Sequence, residues 1–183
     1  GPARVVPRRE ICEILQPQAA VVTSVGPVHI EFFADEAAIA AEKATVAAAV
    51  PPDGWVVLPA DDRWFDALRR PARGQVITTS LSGPADYRAE QAAGLDFRVV
   101  ERRTGDAVAC TAPFPGDFVV HDALLAMALA RCLGVPWEPM VRAIAAYRPV
   151  GMRWQRETLG GALVINDAYN ANPVSMRAAL RAF

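Results

Sequence analysis

Lysine is nearly absent from this chain: Lys43 stands alone among 19 lysines and arginines. Histidine is almost as scarce, with only His29 and His121. Cys12, Cys110 and Cys132 are far apart and form no Cys-x-x-Cys pair. That spacing indicates neither a zinc site nor a disulfide framework, and a reducing, cytoplasmic setting is expected. No apolar run reaches membrane-spanning length, and no charged segment precedes an apolar one in the manner of an export signal, so no membrane insertion is expected. A net charge of -1, with acids and bases interspersed, leaves no basic footprint for nucleic acid.

What is present is apolar: 52% of 183 residues, enough for one large domain or one domain plus part of another. A helix candidate at 8–15 precedes an apolar, β-branched run at 19–25 that suits a buried parallel strand. Asp35 reads as the N-cap of a helix over 36–50, closed by Pro51-Pro52 and Gly54. Strands at 55–58 and 75–80 flank a helix that begins at Asp61-Asp62 and runs through Arg70. This alternation predicts an α/β fold, a doubly wound, mostly parallel sheet with flanking helices.

Residues 96–103 and 107–111 predict a β-hairpin turned at Thr104-Gly105-Asp106, with Phe97, Val99, Val108 and Cys110 alternating on its covered face. Apolar helices at 117–133 and 136–147 follow. Arg148-Pro149-Val150-Gly151 is a Pro/Gly break, which divides 1–150 from 151–183 and leads into a second hairpin at 153–157 and 162–165.

Candidate chemistry collects in two places. Leu163-Val164-Ile165 runs into a cluster of Asn and Asp, then Pro173 and a helix over 175–183, which reads as strand, polar loop, helix. Loops leaving the carboxyl ends of strands in α/β sheets commonly carry ligand chemistry, although Asn and Asp also serve ordinary βα turns. His29 lies just past the first strand and Lys43 fourteen residues on, in the next helix. Each alone fits a solvated surface. Together they mean more, because a helix running back along its strand can return Lys43 toward the loop.

The spelling of these segments resembles the Mur ligase family. Asn166-Asp167-Ala168-Tyr169-Asn170-Ala171-Asn172-Pro173-Val174-Ser175-Met176 is similar to the opening of the C-terminal domain in the members that add D-alanyl-D-alanine to UDP-N-acetylmuramoyl-tripeptide. Val25-Gly26-Pro27-Val28-His29 and Lys43 look like the family's Gly-x-x-His loop and helical lysine at the same spacing. Residues 54–62 resemble its Gly-x-x-x-x-Asn-x-Asp-Asp stretch, with Pro59 where Asn is common. Residues 116–124 resemble its Gly-x-His-Asn-x-x-Asn-Ala-Leu helix start, from which Phe118, Val119 and Asp122 depart.

The resemblance implies a central ATP-binding domain of P-loop type over 1–150, and over 151–183 a linker hairpin with the start of a Rossmann-like C-terminal domain. It implies ATP and Mg2+ as cofactors. His29 and Lys43 are then catalytic and hold magnesium, with Lys43 carbamylated so that it is anionic. Asp122, Arg153, Asp167 and Asn170 bind nucleotide, and Tyr169, Asn172 and Ser175 form a substrate and closure loop. The implied reaction is ATP-dependent peptide-bond formation in peptidoglycan precursor synthesis, through an acyl phosphate, with the rest of a ligase chain as partner.

The Gly-Lys-Thr/Ser loop that cradles ATP phosphates in this family does not occur in the 183 residues, so the isolated chain is expected not to turn over. The alternatives are a non-catalytic ligase-like binding module, suggested by the departures at Pro59, Phe118, Val119 and Asp122, or another amino-acid-adding ligase, which the Asn-Ala-Asn-Pro loop disfavours.

Overall fold

The computed structural model describes residues 7–28 and 30–183. After α1 (Arg8–Leu15), strands β1 (Ala19–Val21), β2 (Trp55–Pro59) and β3 (Gln75–Ser80) lie side by side in parallel, linked by α2 (Glu36–Ala49) and α3 (Phe65–Arg69). The sheet then continues through β4 (Tyr87–Ala93), β5 (Asp96–Glu101) and β6 (Ala107–Thr111), where the pairing turns antiparallel. Helices α4 (Asp117–Cys132) and α5 (Trp137–Ala146) follow. Next come the separate hairpin β7 (Gln155–Leu159) and β8 (Ala162–Asn166), and then α6 (Pro173–Ala182).

Around β2 the sheet is covered on both faces, which is why its central parallel strand reads as a continuous apolar run, whereas β5 and β6 alternate buried and exposed residues. Along β2, Val56 and Leu58 pack with Ala44 and Ala47 of α2 and Leu68 of α3. Val57 points the other way, into a cluster with Leu124 and Met127 of α4 and Phe97 and Val99 of β5. Successive strand side chains alternate faces, so one short strand feeds both cores. Full burial of a leucine such as Leu58 or Leu124 stabilises the fold by roughly 1.5–3 kcal/mol. Among the described residues no helix is long and apolar enough to cross a membrane.

Several expected boundaries move, each for a local reason. The helix expected from Asp61 starts only at Phe65, because both carboxylates are engaged elsewhere. Asp61 accepts from Leu81 N–H at 2.6 Å and from the Ser80 and Ser82 hydroxyls at 2.8 Å each. Burial alone would raise the Asp61 pKa, but these bonds outweigh it and hold the carboxyl below its ordinary value. Asp62 accepts from Trp64 N–H and from Val25 N–H, both at 2.8 Å. That second bond draws the chain away from the sheet, so the strand expected over 19–25 pairs regularly only as Ala19–Val21, with Val22 N–H adding one more bond to Val57 O.

Strand β4 was not foreseen. It overlaps β3 over two residue pairs only, so the link 81–86 needs no crossover helix. Arg88, Ala89 and Glu90 favour helix intrinsically; the ladder with β5 and the burial of Tyr87 and Ala89 override that preference. The second hairpin is shifted two residues onward at its first strand, its turn carried by Gly160 and Gly161, both at positive φ. Helix α6 begins at Pro173 rather than Ser175, since proline suits the first helical position and Asn172 supplies the cap.

Gly54 marks a close backbone approach. A Cβ there would stand 2.3 Å from Gln18 O and 2.6 Å from Val50 Cγ1. Gly54→Ala is therefore expected to destabilise the domain by about 1–3 kcal/mol in urea unfolding, by forcing β2 away from the segment before β1; an unchanged midpoint would show that the two segments part freely.

Candidate functional site

Three segments meet around a cleft of about 960 Å3: the loop after β1, the start of α4, and the chain from Arg153 through the β8–α6 loop. Lys43, Asp122, Arg153, Asp167, Tyr169, Asn170, Asn172 and Ser175 all line it, so residues far apart in sequence share one cavity. His29 lies outside the described residues; its neighbours Gly26, Pro27 and Val28 form part of the wall.

Lys43 comes back to the first loop as its place on the helix suggests. Asp35 caps α2 by accepting from Ala38 N–H at 2.8 Å, which fixes where the helix begins and hence which face carries Lys43. Its half-buried ammonium donates to Ser24 O at 2.5 Å. Burial lowers the Lys43 pKa, the nearby Arg8 charge lowers it further, and Asp62 works in the opposite direction.

On the facing wall, Asp167 accepts from Trp154 N–H at 3.2 Å, and Tyr169 N–H donates to Met152 O at 3.0 Å. Arg153, expected in a strand, sits in the turn before β7, its guanidinium 4.2 Å from the centre of the Tyr169 ring. Such a contact contributes about 0.5–1 kcal/mol when exposed. Arg153 and Asn170 are exposed, and Asp167 is half-buried. Asp122 is exposed on α4, 3.4 Å from His121 Nδ1.

Asn172 and Ser175 have local duties. The Asn172 side-chain oxygen accepts from the Val174 and Ser175 amides, while Ser175 Oγ accepts from Asn172 N–H, a reciprocal box that starts α6. Their contribution to the cleft is thus to fix the loop that carries Asp167, Tyr169 and Asn170.

Two features of the cleft escape a reading of the sequence. Glu31 lines it, two residues past His29, with no signal beyond that nearness. Phe114, Phe118 and Trp154 form an aromatic part of its lining. Trp154 is only 4% exposed and holds a left-handed backbone, φ 46°, which costs a bulky residue about 1–3 kcal/mol. Its buried Nε1–H has no partner among the described residues, a further cost on the order of 1–3 kcal/mol. Among the described residues no three His, Cys, Asp or Glu side chains cluster as a ready metal site. The unmodified Lys43 ammonium would repel a cation, so magnesium fits here only if Lys43 changes sign or His29 joins the set.

Residues 4–130 match the family profile of the Mur ligase middle domain. The chain is 38% identical over 178 residues to the UDP-N-acetylmuramoyl-tripeptide–D-alanyl-D-alanine ligase of Mycobacterium tuberculosis, a match covering 94% of this chain and 35% of that protein's length. The crystal structure of MurF from Acinetobacter baumannii superposes with a TM-score of 0.88 at 26% identity, over 95% of this chain and 39% of the other. The Thermotoga maritima MurF ligase in complex with ADP shares the fold, with a TM-score of 0.80 at 18% identity over 95% of this chain and 40% of that one. The chain therefore spans little more than a third of the proteins it matches.

Proposed function

The chain belongs to the Mur ligase family through its middle domain, and from that premise we propose that it is the nucleotide-binding part of a D-alanyl-D-alanine-adding ligase. The observation that carries this is the convergence of Lys43 and the Asp167–Asn170 loop on one cleft large enough for a nucleotide. The whole reaction is ATP-dependent: a carboxylate of UDP-N-acetylmuramoyl-tripeptide is phosphorylated to an acyl phosphate, and the amine of D-alanyl-D-alanine displaces phosphate. The 38% identity to a ligase named for that reaction favours it over the other amino-acid-adding members.

In this reading 1–150 is the central domain and 151–183 opens the next one. Arg153 and Asp167 contact the ribose and phosphates, and Asn170 joins them from the loop. Asp122 accepts from the exocyclic amine of adenine; a carboxylate cannot donate to a ring nitrogen as an amide would. Tyr169 holds Arg153 in place, and Asn172 and Ser175 keep the loop in its closing conformation. Lys43, with a pKa lowered by burial, presents more neutral amine than a solvated lysine does. That amine can add CO2, forming an N–C bond and releasing a proton, to give a carbamate. Carbamylated Lys43 and His29 would then hold magnesium, which screens phosphate charge during transfer.

Phosphate release tests the proposal. The 183-residue chain alone is expected to release none from ATP, because it carries no Gly-Lys-Thr/Ser loop. Grafted in place of the corresponding segment of the full-length Mycobacterium tuberculosis relative, it is expected to support phosphate release only when both substrates are present. Release by the isolated chain, or none from the grafted ligase, would count against it.

A further inference from the structure

Residues 152–154 break local rules without glycine to excuse them. Met152 and Trp154 both sit in the left-handed region, at φ 58° and 46°, and the buried Trp154 indole N–H has no acceptor among the described residues. Departures of this kind persist only where the surroundings over-determine them. Here the surroundings are aromatic. The Trp154 ring stacks on Phe114, with centroids 5.8 Å apart and planes at 20°, and meets Phe118 edge-on at 5.9 Å and 65°. Phe118 lies in the first turn of α4, where Gly116, at φ 128°, leaves room for its ring: a Cβ on Gly116 would stand 2.5 Å from Phe118 Cε1. The socket therefore ties the turn before β7 to the start of α4.

What the unfavourable backbone delivers is a set of bonds. With Trp154 seated, its amide reaches Asp167 Oδ1, Met152 O accepts from Tyr169 N–H, and Arg153 is turned over the Tyr169 ring. Each of these joins the turn at 152–154 to the loop that carries Asp167 and Tyr169. We propose that Trp154, seated between Phe114 and Phe118, is a positioning residue that sets Arg153 and Asp167 against the cleft. This rests on the reading of those two residues as nucleotide contacts. It also gives Phe118 a duty of its own: it is a wall of the socket.

Amide hydrogen exchange on the 183-residue chain tests this without nucleotide. In Trp154→Ala and in Phe118→Leu, the amides of residues 154 and 169 are expected to exchange at least about tenfold faster than in the wild type, while those of β2 and β5 keep their rates. Trp154→Phe, which still fills the socket with a ring, is expected to stay within about threefold. Unchanged protection at 154 and 169 in both Trp154→Ala and Phe118→Leu would overturn the proposal. So would an equal rise across β2 and β5, which would reduce the socket to general stability. Should Trp154→Ala fail to fold, Phe118→Leu and Trp154→Phe carry the same comparison. Failure of the nucleotide reading would leave the exchange pattern intact, since neither bond involves a ligand.

Discussion

Lys43→Ala, introduced into a relative's full-length ligase that carries this chain in place of its own segment, is expected to lower ATP-dependent amide formation by about 10²–10³-fold, the scale on which a preorganised electrostatic group acts at a reacting centre. The fold should survive, because alanine continues α2 and Lys43 is only half-buried. The chemistry behind the loss can be followed directly. With 13C-labelled bicarbonate, a carbamate carbon signal is expected from the wild type and not from Lys43→Ala. On the 183-residue chain the assignment is clean, since Lys43 is its only lysine, whereas a restored phosphate loop would bring another.

The same residue gives a pH signature. Its folded pKa is lowered, first by burial and then by Arg8, so between that value and about 10.4 the unfolded chain holds a proton that the folded chain has released. Stability attributable to Lys43 therefore rises as pH rises through that window and is flat below it. Lys43→Met should lack the rise. A variant with full activity, or a wild type without a lysine carbamate, would remove Lys43 from the mechanism.

Glu101→Ala is expected to destabilise the domain by about 3–5 kcal/mol in urea unfolding, among the largest effects of any single change. Glu101 is 1% exposed at the end of β5; its two carboxylate oxygens accept from Arg103 at 3.1 Å and Arg131 at 3.3 Å. Arg131 is itself largely buried, 4.7 Å from the centre of the Trp137 ring, with its Nε unpartnered among the described residues. Removing the carboxylate strands that guanidinium beneath α5. A double change, Glu101→Ala with Arg131→Met, should recover about 0.5–3 kcal/mol relative to the sum of the single ones. Tyr87 reports on the same charge: burial, and next the Glu101 carboxylate, push its phenol up to about 12. Spectrophotometric titration of Glu101→Ala should find it lower. A loss below about 1 kcal/mol would mean that the pair is solvated rather than buried.

What could be read from the letters follows from how local each determinant is. The parallel core was legible because Val56-Val57-Leu58 is apolar without a break, which only a strand covered on both faces requires. The return of Lys43 to the first loop was legible from spacing, since Asp35 fixes the helix start and the helix fixes the rest. The loop around Asp167 announced itself by its clustered Asn and Asp. Strand β4 did not, because Arg88, Ala89 and Glu90 become a strand only beside β5 and beneath α4. Asp61 and Asp62 looked like the start of a helix, and only the fold brings Ser80, Leu81 and Val25 to them. The aromatic socket was hidden for a related reason: Phe114 and Trp154 are forty residues apart and meet only once the turn at 152–154 adopts a conformation that its own residues disfavour.

Whether the cleft serves the proposed reaction can be decided in one assay. A relative's full-length ligase carrying this chain in place of its own corresponding segment is incubated with ATP, UDP-N-acetylmuramoyl-tripeptide and D-alanyl-D-alanine, and amide product is counted against phosphate. One amide per phosphate, dependent on D-alanyl-D-alanine and not supported by L-alanine or D-glutamate, is expected. Phosphate without amide, or amide formed with a different amino acid in preference, would contradict it.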